Sequence, residues 1–354
     1  MTRRAGFRRE WLRARPIIGR VGIALSVAAA CAGCARLAVH VAGNQLVDGA
    51  WTPHRLVGVN RSGTEYACMQ GIGFFAGPAD RPAIEAMKAW RIDAVRVPLN
   101  EDCWLGINSP PRRYSGRAYR AAIRAYVARL HKAGFVVILD LHWSAPGSEP
   151  ARSQQPMADH DHSPAFWASV ARAFRTDPAV IFDLYNEPHG ISWQCWRDGC
   201  LLPEGWRTAG MQTLLNAVRE SGALQPVIAT GLDWGGDVSS WLEYRPADPA
   251  NQIVAGVHVY DFRSCADPAC WARNFGRLAR SVPVVATEVG QKACASRFLE
   301  RFMTWADKAG LSYLGWTWNP TGCASPALIE SWSGQPTASG AQFRAHVRAV
   351  TEGP

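Results

Sequence analysis

Beyond its first 40 residues the chain lacks an excess of either charge. Residues 1–40 hold eight arginines, one glutamate and neither lysine nor aspartate, a net of +7. The remainder holds 30 basic and 28 acidic residues, a net of only +2. No basic stripe is left to neutralise a phosphate backbone, so the composition excludes a nucleic-acid partner. The chain also lacks an apolar run long enough to cross a bilayer; the run "VGIALSVAAACAGC" at 21–34 is too short. Outside that run there is no Cys-x-x-Cys pair, which argues against a structural zinc site. No glycine-rich phosphate loop follows the first strand-like segment, since "GIGFFAG" at 71–77 has the wrong spacing. No Pro/Ser-rich linker divides the chain, so a single large domain is expected from its 354 residues, 48% of them hydrophobic.

The N-terminal charge reads as part of an export signal over 1–40, cleaved from the mature protein. Arginines 3, 4, 8, 9, 13, 15 and 20 precede the short apolar run, which ends in small residues. "RREWLR" at 8–13 resembles a twin-arginine motif, and "CAGC" at 31–34 resembles a lipoprotein cleavage site before Cys34. The expectation is a secreted protein, held to a membrane only if lipidated at Cys34. Ten cysteines are present, and removing Cys31 and Cys34 with the leader leaves eight. An even number in an exported chain favours disulfides.

After residue 50 a short apolar, β-rich run recurs eight times, each run followed by a loop and a helical stretch. The runs are "RLVGVN" (55–60), "DAVRVPL" (93–99), "FVVILDLH" (135–142), "VIFDLYNE" (180–187), "QPVIATG" (225–231), "IVAGVHVY" (253–260), "PVVATEVG" (283–290) and "YLGWTWN" (313–319). They are nearly continuous in apolar character, as strands covered on both faces should be. Between them lie stretches such as 117–134 and 296–310, with apolar residues three and four apart and a terminal glycine. Alternation of this kind predicts an α/β fold, a single (β/α)8 TIM barrel over 45–350.

Active sites of such barrels lie at the C-terminal ends of the strands. Polar residues interrupt the apolar runs at those ends: Arg96, His142, Asn186 with Glu187, His258 with Tyr260, and Glu288, with Trp318 at the last. A lone strand-end glutamate is usually an ordinary surface residue. Two of them, facing each other across one mouth among so many polar neighbours, suggest an acid and a nucleophile. Glycoside cleavage needs that pair most directly, with one carboxyl protonating the leaving oxygen and the other attacking the anomeric carbon. Their surroundings should differ, because their protonation states must. Asn186 is placed to bond a sugar hydroxyl, and Tyr260 and Arg96 to hold Glu288 ionised.

The motifs "VRVPL", "LDLHW", "LYNEPHG", "GVHVYDF", "ATEVG" and "GWTWNP" resemble the strand motifs of glycoside hydrolase family 5, cellulase-like retaining glycosidases, over roughly 50–345. The resemblance implies Glu187 as acid/base and Glu288 as nucleophile. It implies Arg96, His142, Asn186, His258 and Tyr260 as the residues that bind the cleavage-site sugar and orient the carboxylates. Trp318 is implied as the platform under that sugar, with Trp316 a close competitor. No metal and no organic cofactor is implied, and the partner is a polysaccharide or oligosaccharide acted on by a monomer. The expected activity is endo-β-1,4-glucan hydrolysis; another β-glycan (mannan, β-1,3-glucan or xyloglucan) is the alternative within the class, and a non-catalytic carbohydrate-binding barrel the alternative outside it.

Tryptophans 104, 143, 193, 196 and 234 follow strand ends, where aromatic faces pack on pyranose rings, and two or three, Trp143 among them, are expected to touch substrate. Glu65, Glu101 and Asp102 are expected to reach neighbouring sugars. "ADHDHS" at 158–163 is read as a polar loop rather than a metal cluster. On the barrel, loops after consecutive strands are neighbours. That pairs Cys68 with Cys103 and Cys294 with Cys323, while Cys195–Cys200 and Cys265–Cys270 each close one loop.

Overall fold

The computed structural model describes residues 1–2 and 37–352. The arginine-rich leader with Cys31 and Cys34 lies outside the described residues. Val39 and His40, inside the stretch read as leader, already belong to the folded unit: β1 (Val39–Ala42) and β2 (Gln45–Asp48) form an antiparallel hairpin.

Eight parallel strands then close a barrel: β3 (Val57–Asn60), β4 (Ala94–Asn100), β5 (Val136–Trp143), β6 (Val180–Asp183), β7 (Val227–Thr230), β8 (Ile253–Tyr260), β9 (Val284–Gly290) and β10 (Ser312–Gly315). They follow one another in chain order, and β10 closes on β3. All eight predicted strands are present. Two stop early: β6 ends at Asp183 and β10 at Gly315, four residues short of the predicted ends in each case.

Helices wrap the strands. They are α1 (Arg81–Lys88), α2 (Glu101–Leu105), α3 (Arg117–Ala133), α4 (Ser163–Phe174), α5 (Trp193–Asp198), α6 (Met211–Glu220), α7 (Pro268–Trp271), α8 (Phe298–Ala309) and α9 (Ala338–Glu352). In α3 the buried residues Tyr119, Ile123, Tyr126, Val127 and Leu130 recur at three and four, forming the stripe that faces the strands. Gly134 ends the helix at φ +95°, a left-handed cap that residues with a side chain rarely adopt. Among the described residues no helix follows β7. The turn-rich segment 231–252 covers that strand instead, with Trp241 buried and its Nε1 donating to the Ala229 carbonyl at 2.9 Å. No helix of the described residues is long and apolar enough to cross a membrane.

The strands' period of two sorts the barrel interior into layers. Ala94, Val136, Ile138, Ile181, Ile228, Val254, Val285 and Leu314 fill its lower part, and Val39 and Leu46 of the hairpin join them from below. One step up the same inward face, chemistry replaces packing. Ala94 is followed by Arg96, Ile138 by Asp140 and His142, Ile181 by Asp183, and Val254, past Gly256, by His258 and Tyr260. Outward-facing Val95, Val97, Val137, Leu139, Phe182 and Val257 pack against the helices. The four predicted disulfides, Cys68–Cys103, Cys195–Cys200, Cys265–Cys270 and Cys294–Cys323, join loops beyond the C-terminal ends of the strands.

Candidate active site

Arg96 organises the barrel mouth. Its side chain is fully buried and each nitrogen has a partner. Nη1 donates to Glu288 Oε1 at 2.8 Å and to Asn60 Oδ1 at 3.0 Å. Nε donates to Asp183 Oδ2 at 2.9 Å, and Nη2 to Asn186 Oδ1 at 2.9 Å, with Asp140 Oδ1 3.0 Å away. Three carboxylates thus share one guanidinium. Burial pushes both Asp140 and Asp183 up to about 7, although Arg96 pulls each the other way. Arg96 itself is held above the ordinary arginine value, the three carboxylates outweighing its desolvation.

Glu288 is fixed at both oxygens, Oε1 by Arg96 and Oε2 by the donated hydroxyl of Tyr260. Gly290 makes room for that tyrosine: a Cβ there would lie 2.6 Å from Tyr260 Cε1. Across the mouth, Glu187 stands beyond the end of β6, on backbone still tied to the barrel by Asn186 N donating to the Leu141 carbonyl at 3.1 Å. His258 Nδ1 lies 2.9 Å from Glu187 Oε1 and 3.4 Å from Glu288 Oε2. Burial drives His258 down to about 3, so the ring is neutral and carries one proton. Two carboxylate oxygens flank Nδ1 while Nε2 is buried without a partner, which places that proton on Nδ1. Gly235 packs beneath the ring; at φ +79° a Cβ there would lie 2.9 Å from His258 Cγ. His142 Nδ1 bonds Asp140 Oδ2 at 2.7 Å, turning its other nitrogen away from Asp140.

One oxygen of Glu187, one of Glu288 and His258 Nδ1 all lie within 4.8 Å of one another. Carboxyls that act as acid and nucleophile on one glycosidic bond stand about 5–5.5 Å apart, whereas those that activate a water between them are wider. The same three atoms could in principle meet a cation, and no other group of three His, Cys, Asp or Glu among the described residues comes so close. Both Glu288 oxygens are already engaged by strong donors, which makes this a poor metal site. The two carboxyls also differ in setting. Glu187 is the more open, and burial pushes its carboxyl above the usual value against the opposing influence of His142 and Arg263.

The family model for cellulases (glycosyl hydrolase family 5) matches residues 59–322. The chain belongs to glycoside hydrolase family 5. It is thereby a glycoside hydrolase acting on O-glycosyl bonds. A mannan endo-1,4-β-mannosidase of Streptomyces lividans is 22% identical over 317 residues, 85% of this chain and 72% of that protein. Endoglucanase CelA of the same organism is 23% identical over 342 residues, 89% of this chain and 65% of that protein, so the family 5 barrel described here spans just under two thirds of that relative. Among solved structures, a β-glucanase of Saccharophagus degradans in complex with cellotetraose superposes with a TM-score of 0.69. It is 20% identical, over 87% of this chain and 92% of that one.

Within this family 5 barrel the mouth brings together Arg96, His142, Asn186, Glu187, His258, Tyr260 and Glu288. Trp318 does not join them. It is fully buried, edge-on to Trp90 at 4.8 Å on the helix side of the barrel, so the expectation of a sugar platform there is corrected. The partly exposed Trp316 occupies the mouth instead, stacked on His142 at 5.6 Å and 7°. Trp318→Ala is therefore expected to cost about 3–5 kcal/mol of stability, as loss of a core aromatic does. Trp316→Ala should leave the melting temperature nearly unchanged and raise KM; calorimetry and kinetics on both variants check the exchange.

Trp143 is partly exposed near Tyr66, and Trp193 and Trp234 also keep exposed surface. Trp104 and Trp196 are buried structural residues whose ring nitrogens donate to Ser169 and to the Thr230 carbonyl. Glu101 and Asp102 are likewise turned inward, accepting from Ser163 and from the Ala151 amide, and do not reach the mouth. Glu65 is buried and accepts from the Gly63 amide. The 158–163 segment is a polar loop whose Asp161 and His162 clasp Gly147. Sequence reasoning missed Asn60, Asp140, Asp183, Gln154 and Arg263. The two aspartates carried a signal: each is a lone charge on the inward face of an apolar strand.

Proposed function

We propose that this protein is an exported, retaining endo-β-1,4-glucanase using Glu187 as acid/base and Glu288 as nucleophile. The observation that carries the reading is the approach of the two carboxyls to within 4.8 Å on either side of His258 Nδ1. Glu187 gives its proton to the glycosidic oxygen as Glu288 Oε attacks the anomeric carbon, and the leaving sugar departs. Glu187, now ionised, takes a proton from water, which displaces Glu288 and restores the original anomeric configuration. Arg96 and Tyr260 hold Glu288 in place through hydrogen bonds to its two oxygens. Trp316 and His142 offer the adjacent sugar a stacked wall, and Asn186, whose Oδ1 accepts from Arg96 and whose Nδ2 donates to Gln154 Oε1, faces its hydroxyls. Four disulfides support export, and the arginine-rich stretch that precedes β1 is proposed as its signal. The mannosidase relative favours β-1,4-mannan as a second reading, since it matches 85% of this chain.

A polysaccharide panel with product sizing and proton NMR of the first-formed anomer tests both. Retained β-products of mixed length from glucan are expected; inverted products would overturn the mechanism, and exclusive release from mannan would move the substrate.

The acid/base assignment also sets a pH limb. Glu187 must be protonated to act, and its value is raised. Activity is therefore expected to persist above the ordinary glutamate range and to fall as pH rises through the raised value. In kcat/KM profiles, Glu187→Gln should lose that basic limb.

A further inference from the structure

Beyond Glu187 the mouth ends in a group that the proposed chemistry does not use. Arg263, in the loop after β8, brings Nη2 to 3.9 Å from Glu187 Oε1, too far for a hydrogen bond. Its Nε is buried without a partner, and among the described residues none of its guanidinium nitrogens donates to protein. Its side chain is 28% exposed, and the guanidinium lies 5.1 Å from the Trp234 ring and 5.5 Å from that of Phe262. Phe262 is 44% exposed and carries a second cation, Lys292 Nζ, 4.3 Å from its centroid.

This wall is braced. Trp234 stacks on His189 at 3.5 Å and 7°, Ser264 Oγ donates to Asp233 Oδ2 at 3.2 Å, and Cys265–Cys270 closes the loop. The nearby acids are occupied elsewhere, Asp233 by Ser264 and Asp261 by the Lys292 amide. Because the acid/base stands between the cleaved sugar and its leaving partner, groups on the Glu187 side away from Glu288, Trp316 and His142 meet the leaving sugar. A planar fork of free donors on an aromatic wall, with a second cation alongside, matches a carboxylate better than a hydroxyl.

We propose that Arg263, with Trp234 and Phe262, forms a leaving-group subsite selecting a sugar that carries a carboxylate, a uronic acid unit within or branching from the β-glycan. The proposal rests on the glycosidase reading above. It couples recognition to chemistry. Groups facing Glu187 are His258, Glu288, His142, Arg96, His189, Tyr260 and Asp140, besides Arg263. Besides His142, whose influence is larger, Arg263 lowers the acid's value, and unlike Arg96 its guanidinium has no hydrogen-bonded carboxylate among the described residues. A carboxylate that pairs with Arg263 cancels that effect and keeps Glu187 protonated to higher pH.

Matched neutral and C6-carboxylated β-1,4-gluco- and manno-oligosaccharides test this. At low salt the wild type is expected to favour the carboxylated chain in kcat/KM by about 10- to 100-fold. Its basic limb should also lie at higher pH than for the neutral chain. Arg263→Gln should bring the ratio near one and move the neutral-substrate limb up, whereas Arg263→Lys, charged but unforked, should keep part of the preference. No preference in the wild type, or an equal loss on both substrates in Arg263→Gln, would overturn the subsite. Calorimetric binding to the Glu288→Gln protein reads the same ratio without turnover. Absent hydrolysis of every glycan would then sink the catalytic reading, while the binding ratio still decides this one.

Discussion

Glu288→Gln is expected to lower kcat on β-glucan by at least about 10⁴-fold, as loss of a covalent nucleophile does, with the fold intact. The amide keeps the shape and one oxygen for Arg96 or Tyr260, but cannot bond the anomeric carbon. Glu187→Gln should cost about 10²–10⁴-fold, the usual contribution of a general acid. The two variants should also differ in kind. An aryl glycoside with an acidic phenol leaves without protonation, so Glu187→Gln should still form the glycosyl-enzyme from it and then stall, showing a burst. Glu288→Gln should show neither burst nor turnover. Stopped-flow release of the phenol, with intact-protein mass spectrometry for the trapped adduct, separates them; an adduct in Glu288→Gln would reverse the assignment.

Arg96→Leu is expected to lose about 3–5 kcal/mol of stability, because removing one partner of a buried charge set leaves the others uncompensated. Here three carboxylates lose the cation they share. The loss should depend on pH with a definite sign. Asp140 and Asp183 sit at about 7 in the folded protein, above their unfolded values. The folded state therefore binds more protons than the unfolded state from about pH 4 to 7, and stability falls as pH rises through that window. Without Arg96 both values rise further, so the deficit should be larger at pH 8 than at pH 5. Urea denaturation of wild type and variant at the two pH values checks this; an equal deficit at both would mean that the aspartates do not depend on Arg96. Turnover should vanish too, since Glu288 loses the donor to Oε1.

Much of the site was legible because barrels obey a period. Strand-end placement singled out Glu187, Glu288, His258 and Tyr260 before any distance was known, and neighbouring loops implied the cysteine pairs. The tryptophans show where that legibility stops. Two tryptophans two apart share a face only while a strand continues, and β10 ends at Gly315. Past that point Trp318 turns against Trp90 while Trp316 faces the mouth, a choice made by packing. Glu101 and Asp102 misled for a related reason. They follow a strand end as a ligand would, but Asn100 caps a short helix by accepting from the Cys103 amide, and that turn carries both acids inward.

The local sequence by itself determined the eight strands, the helices that cover them and the inward alternation. These follow from hydrophobic period and glycine stops, which act over a few residues. Only the closed barrel decided that Arg96 would serve three carboxylates from three other strands, that His258 would stand between two glutamates, and that a loop arginine would reach the acid. Those contacts join residues 30 to 192 positions apart in the chain, from His258 with Glu288 to Arg96 with Glu288. Their geometry depends on strand register and shear, which are properties of the assembled sheet and have no counterpart in any short stretch of chain.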